Sequence, residues 1–274
     1  MSSTPTIAFI GAGNMAQAII KGLLQQGYGA DSIIATGRAP AKLATLSAEA
    51  GIRTSTDNQA ACQEADIVIL AVKPQMMQET VSQLKDAVDP QHHLIISVAA
   101  GILADSINSW LGKQCPTVRC MPNTPSLVGK GASGLYANSH VSSQQKAIAE
   151  QIMQAVGISI WLDDEALIDA VTAVSGSGPA YYFLMMEAMI AGAQQLGLSK
   201  EQATALVLQT AEGAACMAQT GAESPAQLRV AVTSPKGTTE AALNSFADND
   251  YEATVANAMQ AAYERSQALA KLFT

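Results

Sequence analysis

Thr6-Ile7-Ala8-Phe9-Ile10-Gly11-Ala12-Gly13-Asn14-Met15-Ala16 breaks a short apolar run with two glycines and then opens a helical pattern. Ile7 to Ile10 suit a strand buried on both faces, because no polar side chain alternates with the apolar ones. Gly11 and Gly13 remove the Cβ atoms that would hold a backbone away from a pyrophosphate, and Ala16 is a permitted third small residue. From Asn14 to about Gln26, Met15, Ala18, Ile19 and Leu23 recur at spacings of three and four, which predicts a helix whose N-terminus has unpaired N–H groups. Strand, glycine turn and helix in this order predict a dinucleotide site in which Gly11, Ala12, Gly13, Asn14 and Met15 surround the phosphates. A plain glycine turn would give the same motif in isolation, but here the strand and helix it needs stand on both sides.

Outward from this turn, a strand over Ser32–Ala35 ends at Thr36-Gly37-Arg38, about 20 residues beyond the glycines, where NAD enzymes place an acid on the ribose. No acid stands there. A cation with small polar neighbours accepts the 2′-phosphate of NADP, so Thr36 and Arg38 are expected to contact it. NADPH is therefore the expected cofactor, with NADH as the alternative. The plainer reading of Arg38 is a solvated arginine in the loop before Pro40.

A weaker strand near Ile52–Ser55 and a short helix from Asp57 lead to Asp66–Val72, the most strand-like run in the chain. It ends in Lys73-Pro74, which sets Ala71, Val72, Lys73 and Pro74 at the carboxyl end of a central strand, where open α/β sheets keep their ligands. The pattern continues with a helix over about Met76–Ala87, a strand at Leu94–Val98, the small residues Ala99-Ala100-Gly101, and a helix ending near Trp110. A strand at Thr117–Met121 feeds Pro122-Asn123-Thr124-Pro125, a loop that two prolines stiffen. A strand near Gly134–Tyr136, a helix over Ser142–Val156 and a strand at Ser159–Leu162 complete the alternation. This predicts an α/β fold, with an N-terminal Rossmann dinucleotide-binding domain over residues 1–162.

Beyond Asp163 the strand signal stops and Ala, Gln, Met and Leu recur in helical periods, which predicts an all-α C-terminal dimerisation domain over residues 163–274. From Pro179 to Leu196 the chain is apolar nearly all round, with Glu187 its only charge. Such a helix is expected to be buried against a second subunit, because one small layer of helices cannot cover it. Ser199 with Gln202 and Ser224-Pro225 with Gln227 read as helix-starting capping boxes. A helix from about Tyr251 to Leu272 closes the chain.

The chain of 274 residues, 49% apolar and 14% charged, supplies material for two cores. Its net charge of −8 and the lack of dense Lys or Arg runs argue against a nucleic-acid partner. MSSTPT has no basic start and no apolar core of a signal peptide, which leads us to expect a cytoplasmic protein without a membrane partner. Cys62, Cys115, Cys120 and Cys216 form no C-x-x-C pair and read as buried reduced thiols. His92 and His93 follow Asp89-Pro90 in a loop and His140 lies in a polar segment, so neither a metal site nor histidine catalysis is expected.

Two segments interrupt the helices with residues that pack poorly. Ser175-Gly176-Ser177-Gly178-Pro179-Ala180-Tyr181 offers hydroxyls and close backbone approach. Thr233-Ser234-Pro235-Lys236-Gly237-Thr238-Thr239 is a turn feeding a helix over Glu240–Phe246. Its N–H groups at Gly237, Thr238 and Thr239 suit a carboxylate. Ordinary helix boundaries with Ser or Thr caps are the alternative for both.

GAGNMA, AVKPQ, RCMPNTP, SGSGPAY and SPKGTT, in this order over essentially the whole chain, resemble the pyrroline-5-carboxylate reductase family of proline biosynthesis. The resemblance implies NAD(P)H-dependent reduction of 1-pyrroline-5-carboxylate, a small cyclic imine, to L-proline. It also implies a helical domain interlocked with that of a partner subunit, as a homodimer whose copies assemble further into decamers. Carried over residue by residue, Asn58, Ala71, Val72, Lys73, Pro74, Val98, Ala99 and Ala100 line the cofactor. Met121, Pro122 and Asn123 lie beside the nicotinamide. Ser175, Ser234, Gly237, Thr238 and Thr239 hold the substrate carboxylate or reach its ring, with Thr239 and Ser234 as the catalytic candidates. Lys236 departs from the glycine of many members.

Reducing a C=N bond needs hydride on carbon and a proton on nitrogen, so orientation carries most of the rate, on the order of 7–11 kcal/mol, and a hydroxyl suffices as proton relay. Two rivals remain at the level of sequence. β-Hydroxyacid dehydrogenases share the domain order but rely on a lysine in the first long helix, and no lysine occurs between Lys146 and Lys200. A non-catalytic NADP sensor would need the glycine turn but no anion loop at Ser234–Thr239.

Overall fold

A computed structural model describes residues 4–273, so the first half of MSSTPT lies outside the described residues. Eight strands form one sheet: β1 (Ile7–Ile10), β2 (Ile33–Thr36), β3 (Arg53–Ser55), β4 (Ile67–Leu70), β5 (Leu94–Ser97), β6 (Thr117–Met121), β7 (Gly131–Ala137) and β8 (Gly157–Trp161). Their order is β3-β2-β1-β4-β5-β6-β7-β8, and all pairs are parallel except β6 with β7. β1, β2, β4 and β5 are buried along their whole length, as strands covered on both faces must be.

Helices α1 (Asn14–Gln25), α2 (Pro40–Ala50), α3 (Asn58–Gln63), α4 (Met77–Gln83), α5 (Ala104–Leu111), α6 (Ser143–Gln154) and α7 (Leu167–Val171) connect or follow the strands. One apolar cluster packs α1 and α6 on one face of the sheet through Ile19, Ile20, Leu23, Ile152 and Met153. A second packs Met77, Val81, Ile107 and Leu111 on the other. The expected strands and helices stand within a few residues of their places, with α4 ending early at Gln83 after a 3₁₀ turn at Pro74–Met76. α2 is an addition: Pro40 in its first turn and the left-handed Gly51 at its end are ordinary helix punctuation around a run of mixed polarity.

The remaining helices are α8 (Gly178–Gln195), α9 (Lys200–Thr220), α10 (Pro225–Ala231), α11 (Thr238–Asp248) and α12 (Tyr251–Ala270). The two expected capping boxes form, with Gln202 N–H donating to Ser199 Oγ at 3.2 Å and Gln227 N–H to Ser224 Oγ at 3.3 Å. The sheet ends at Trp161, but the chain divides into compact units further on. One runs to Ser177 and takes back the chain from Ala262; the other is Gly178–Ala261. α7 belongs with the sheet because Val171 lies over Gly134, where a Cβ would come within 2.7 Å of it. The end of α12 belongs there because Ser266 Oγ hydrogen-bonds Asp169 at 2.6 Å.

In the second unit α8 packs along α9, yet Tyr182, Phe183 and Leu184 are 70%, 63% and 66% exposed. Within one chain much of the apolar helix is therefore uncovered. No helix among the described residues is long and apolar enough to cross a membrane.

Candidate active site

The carboxyl ends of the central strands are level, with Ile10 beside Leu70, Leu70 beside Ser97, and Ser97 beside Arg119. Gly11, Ala71–Pro74, Val98–Ala100 and Met121–Asn123 consequently leave the sheet along one edge. β2 and β4 flank β1, so the chain changes winding direction at this edge, the place where doubly wound sheets bind ligands.

Gly11 has φ 105°, and a Cβ there would lie 2.9 Å from Ala71 O and 3.0 Å from Val72 Cγ1. A side chain would be strained and would clash, so the turn stays flat against the end of β4. The first bond of α1 runs from Gln17 N–H to Gly13 O at 2.9 Å; among the described residues no acceptor meets the N–H of Asn14 or Met15. A bare glycine cradle facing free donors at a helix N-terminus fits a pyrophosphate.

At the end of β2, Thr36 differs from its expected placing. It is fully buried, and its hydroxyl faces Asn58 Oδ1 at 2.6 Å, Phe9 O at 3.2 Å and the Gly11 N–H at 3.3 Å. A hydroxyl this enclosed does not reach a phosphate in solvent; it serves the sheet end from behind, because Thr36 is the last residue of β2 and its side chain points into the β1 crevice. Arg38 is exposed and forms no ion pair among the described residues. Asn58 opens α3 beside a solvent-open cavity of about 400 Å³ lined by Thr56, Asp57, Asn58, Gln59 and Gln83.

At the end of β6, Met121 is half-buried and Pro122 buried. Asn123, expected beside the nicotinamide, uses both ends of its amide within the protein: Nδ2 donates to Ser175 O at 3.0 Å and Oδ1 accepts from Ala132 N–H at 2.9 Å. Asn123 and Ser175 are thus brought together, with the Ser175 hydroxyl donating to Val171 O at 3.1 Å. Residues Thr172–Gly176 form a π turn, in which Ser177 N–H reaches back to Thr172 O at 2.8 Å; such turns are frequent at functional sites. Gly101, after Val98–Ala100, is left-handed at φ 73°, and the end of α12 closes over it, with a Cβ meeting Ala270 N at 3.5 Å and Phe273 Cδ2 at 3.6 Å.

An ion pair that no local sequence pattern announces lies just behind Met121. Arg119 donates to Glu165 Oε1 at 2.9 Å, and the same oxygen accepts the Ala104 N–H at 2.8 Å. The guanidinium is almost fully buried, so the pair fixes β6 against the start of α5 and the approach to α7. A lone charge inside the strand TVRCM marks Arg119 but not its partner.

In the second unit, Gly237 is the N-cap of α11 and Thr238 and Thr239 are its first two residues. The Gly237 N–H is occupied, donating to Ser234 O at 3.0 Å. Gly237 is needed for a different reason: a Cβ would come within 2.9 Å of Ser234 O. Lys236 stands at φ 57° with its N–H on Glu240 Oε2 at 2.7 Å, so the position that favours glycine is held in the left-handed region by an acid one turn on. No acceptor among the described residues meets the N–H of Thr238 or Thr239. These donors and the exposed Ser234 stand together at a helix N-terminus, where the dipole and unpaired N–H groups favour an anion.

Cys62, Cys115 and Cys120 are buried and Cys216 is exposed on α9, which corrects its expected burial. Burial pushes the Cys62 thiol up to about 11 and the Cys120 thiol up to about 12, leaving both protonated and unreactive near neutral pH. His93 is buried, with Nε2 on Cys62 O at 3.0 Å and Nδ1 accepting from Asp89 N–H at 2.9 Å, a structural role. Among the described residues no group of acidic, histidine and cysteine side chains could hold a metal ion.

The sequence profile of pyrroline-5-carboxylate reductase dimerisation fits residues 165–269, and that of NADP oxidoreductase, coenzyme F420-dependent, fits residues 6–101. The chain is 54% identical to a pyrroline-5-carboxylate reductase of Pseudomonas aeruginosa over 98% of each chain. Its structure is similar to that of a pyrroline-5-carboxylate reductase from Coxiella burnetii, with TM-score 0.94, 45% identity and coverage of 97% of this chain and 99% of that one. A pyrroline carboxylate reductase of Plasmodium falciparum, solved with NADP bound, has TM-score 0.86 and 30% identity over 97% of this chain and 98% of its own.

Proposed function

The chain belongs to the pyrroline-5-carboxylate reductase family of NADP-dependent oxidoreductases, and from that premise we propose how its residues reduce 1-pyrroline-5-carboxylate to L-proline. The observation that carries this reading is the bare Gly11–Gly13 cradle beside the N–H groups at the start of α1, which no acceptor among the described residues meets, in a chain matched over 98% of its length by such a reductase.

Gly11, Ala12, Gly13, Asn14 and Met15 hold the pyrophosphate, and Arg38 takes the 2′-phosphate, with Thr36 supporting that end from inside. Asn58 lines the ribose. Ala71–Pro74 and Val98–Ala100 flank the middle of the cofactor, with small residues where the approach is closest. Met121 and Pro122 wall the nicotinamide, and Asn123 holds their loop to Ser175. When bound, NADPH supplies the hydride for the imine carbon. The free N–H groups of Thr238 and Thr239 and the Ser234 hydroxyl bind the substrate carboxylate, and the Thr239 hydroxyl gives its proton to the imine nitrogen and recovers one from water. Gly237 shapes this loop through its missing side chain, since its N–H is used inside the turn.

We propose a homodimer built on residues 163–274, able to assemble into decamers, working in the cytoplasm on a small-molecule substrate. The profile match over 165–269 and the bare apolar face of α8 support the dimer.

A spectrophotometric assay separates this reading from its rivals. NADPH consumption with pyrroline-5-carboxylate and no reaction of 3-hydroxyisobutyrate with NAD⁺ is the expected pattern; the reverse would point to a β-hydroxyacid dehydrogenase, and neither to a sensor. In the same assay Arg38→Ala should raise the NADPH KM by roughly tenfold, the size expected for losing one charged contact to phosphate, and leave the NADH KM almost unchanged. Equal losses with both cofactors would make Arg38 structural.

A further inference from the structure

Thr36 is buried beyond the reach of solvent, yet three groups converge on its one hydroxyl. Each belongs to a different part of the cradle: the Gly11 N–H to the phosphate turn, Phe9 O to the end of β1, and Asn58 Oδ1 to the first turn of α3. The hydroxyl has one proton to give. With the Gly11 N–H donating to its oxygen, that proton goes to Asn58 Oδ1, the acceptor at 2.6 Å, while Phe9 O lies at 3.2 Å. Holding Oδ1 inward turns the other end of the Asn58 amide, Nδ2 with its two hydrogens, away from Thr36. Asn58 lines the open cavity beside α3, and Asp57 next to it is committed to capping, accepting from Gln59 N–H at 2.9 Å and Ala60 N–H at 3.1 Å.

We propose that Thr36 is a positioning residue that ties the Gly11 peptide to the Asn58 side chain through its buried hydroxyl, so that the pyrophosphate and adenosine ends of the cofactor site are set by one group. The inference rests on the NADPH-binding reading above. Without the hydroxyl, Asn58 Oδ1 and the Gly11 N–H lose their common partner; the amide is then free to rotate, and the phosphate turn loses its only tie to β2 that runs through a side chain among the described residues.

The test is a double-mutant cycle read by direct NADPH binding, through fluorescence titration of the whole protein, with thermal melts alongside. Thr36→Val keeps the volume and removes the hydroxyl; Thr36→Ser keeps the hydroxyl. Thr36→Val and Asn58→Ala should each weaken NADPH about tenfold, and Thr36→Ser should stay within about twofold of the parent. Because Thr36 acts through Asn58, the double variant should bind no worse than the weaker single one, rather than about 100-fold worse as independent effects would require. Thr36→Ala carries the same comparison should the valine variant fail to fold. Additive losses in the double variant, an unchanged affinity in Thr36→Val, or equal losses in Thr36→Ser and Thr36→Val would overturn the proposal. Failure of the parent protein to bind NADPH at all would instead overturn the function it rests on.

Discussion

Thr239→Val should lower the turnover number roughly 100-fold with NADPH binding nearly unchanged. That loss lies in the range of about 10²–10⁴ for a positioned general acid. Thr239 is the second residue of α11, in the turn where no acceptor among the described residues meets the N–H groups of Thr238 and Thr239. Valine keeps the volume and the helix but removes a donor needed more as hydride arrives than when the imine first binds, so kcat falls further than KM rises. A purely structural Thr239 would behave differently: the helix would lose about 1 kcal/mol and turnover would hold. Thr238→Val is the internal control, since the part proposed for Thr238 belongs to its backbone N–H, which valine keeps. Steady-state kinetics and thermal melts on both variants decide between the roles. A lowered melting point with unchanged turnover for Thr239→Val would leave the proton to water or to Ser234.

Met186→Glu or Met189→Glu should abolish the soluble folded dimer. Tyr182, Phe183 and Leu184 project from successive positions of α8, and Met189 is also exposed, so no single face of this helix is the wet one. Burying each such side chain is worth about 1.5–3 kcal/mol, and a chain that left them all in water would aggregate. A second copy is the occupant the family profile supports. A glutamate in the middle of this helix replaces an apolar contact with a charge that has no partner in an apolar interface, and the expected product is insoluble or unfolded protein. A soluble, active monomer in sedimentation experiments would refute this.

Local sequence carries local structure, so features with local causes are legible in it. The glycine turn, the buried strands and both serine capping boxes depend on residues a few places apart, and each formed as expected. Arg119 with Glu165 are 46 residues apart and Asn123 with Ser175 are 52 apart; nothing near either residue announces its partner. The same limit explains Thr36. A threonine ending a strand can face solvent or crevice, and only the neighbouring strands decide which. Gly237 shows the limit on a smaller scale: its place at a helix terminus was legible, but whether its N–H stays free depends on how tightly the turn closes on Ser234 O. α2 escaped because its mixed composition hides a period that Pro40 and Gly51 bracket.

The closing of α12 over the Gly101 turn bears on how the chain is made. Residues from Ala262 on belong to the same compact unit as the sheet, yet they leave the ribosome only after all of Gly178–Ala261. The nucleotide-binding half therefore cannot finish folding as a nascent N-terminal domain; it waits, with Gly101 uncovered and Asp169 without Ser266, while the apolar α8 is already out. During synthesis the uncovered Gly101 turn and the apolar α8 are open at the same time, so the interval before α12 returns is one in which a chaperone has both to cover.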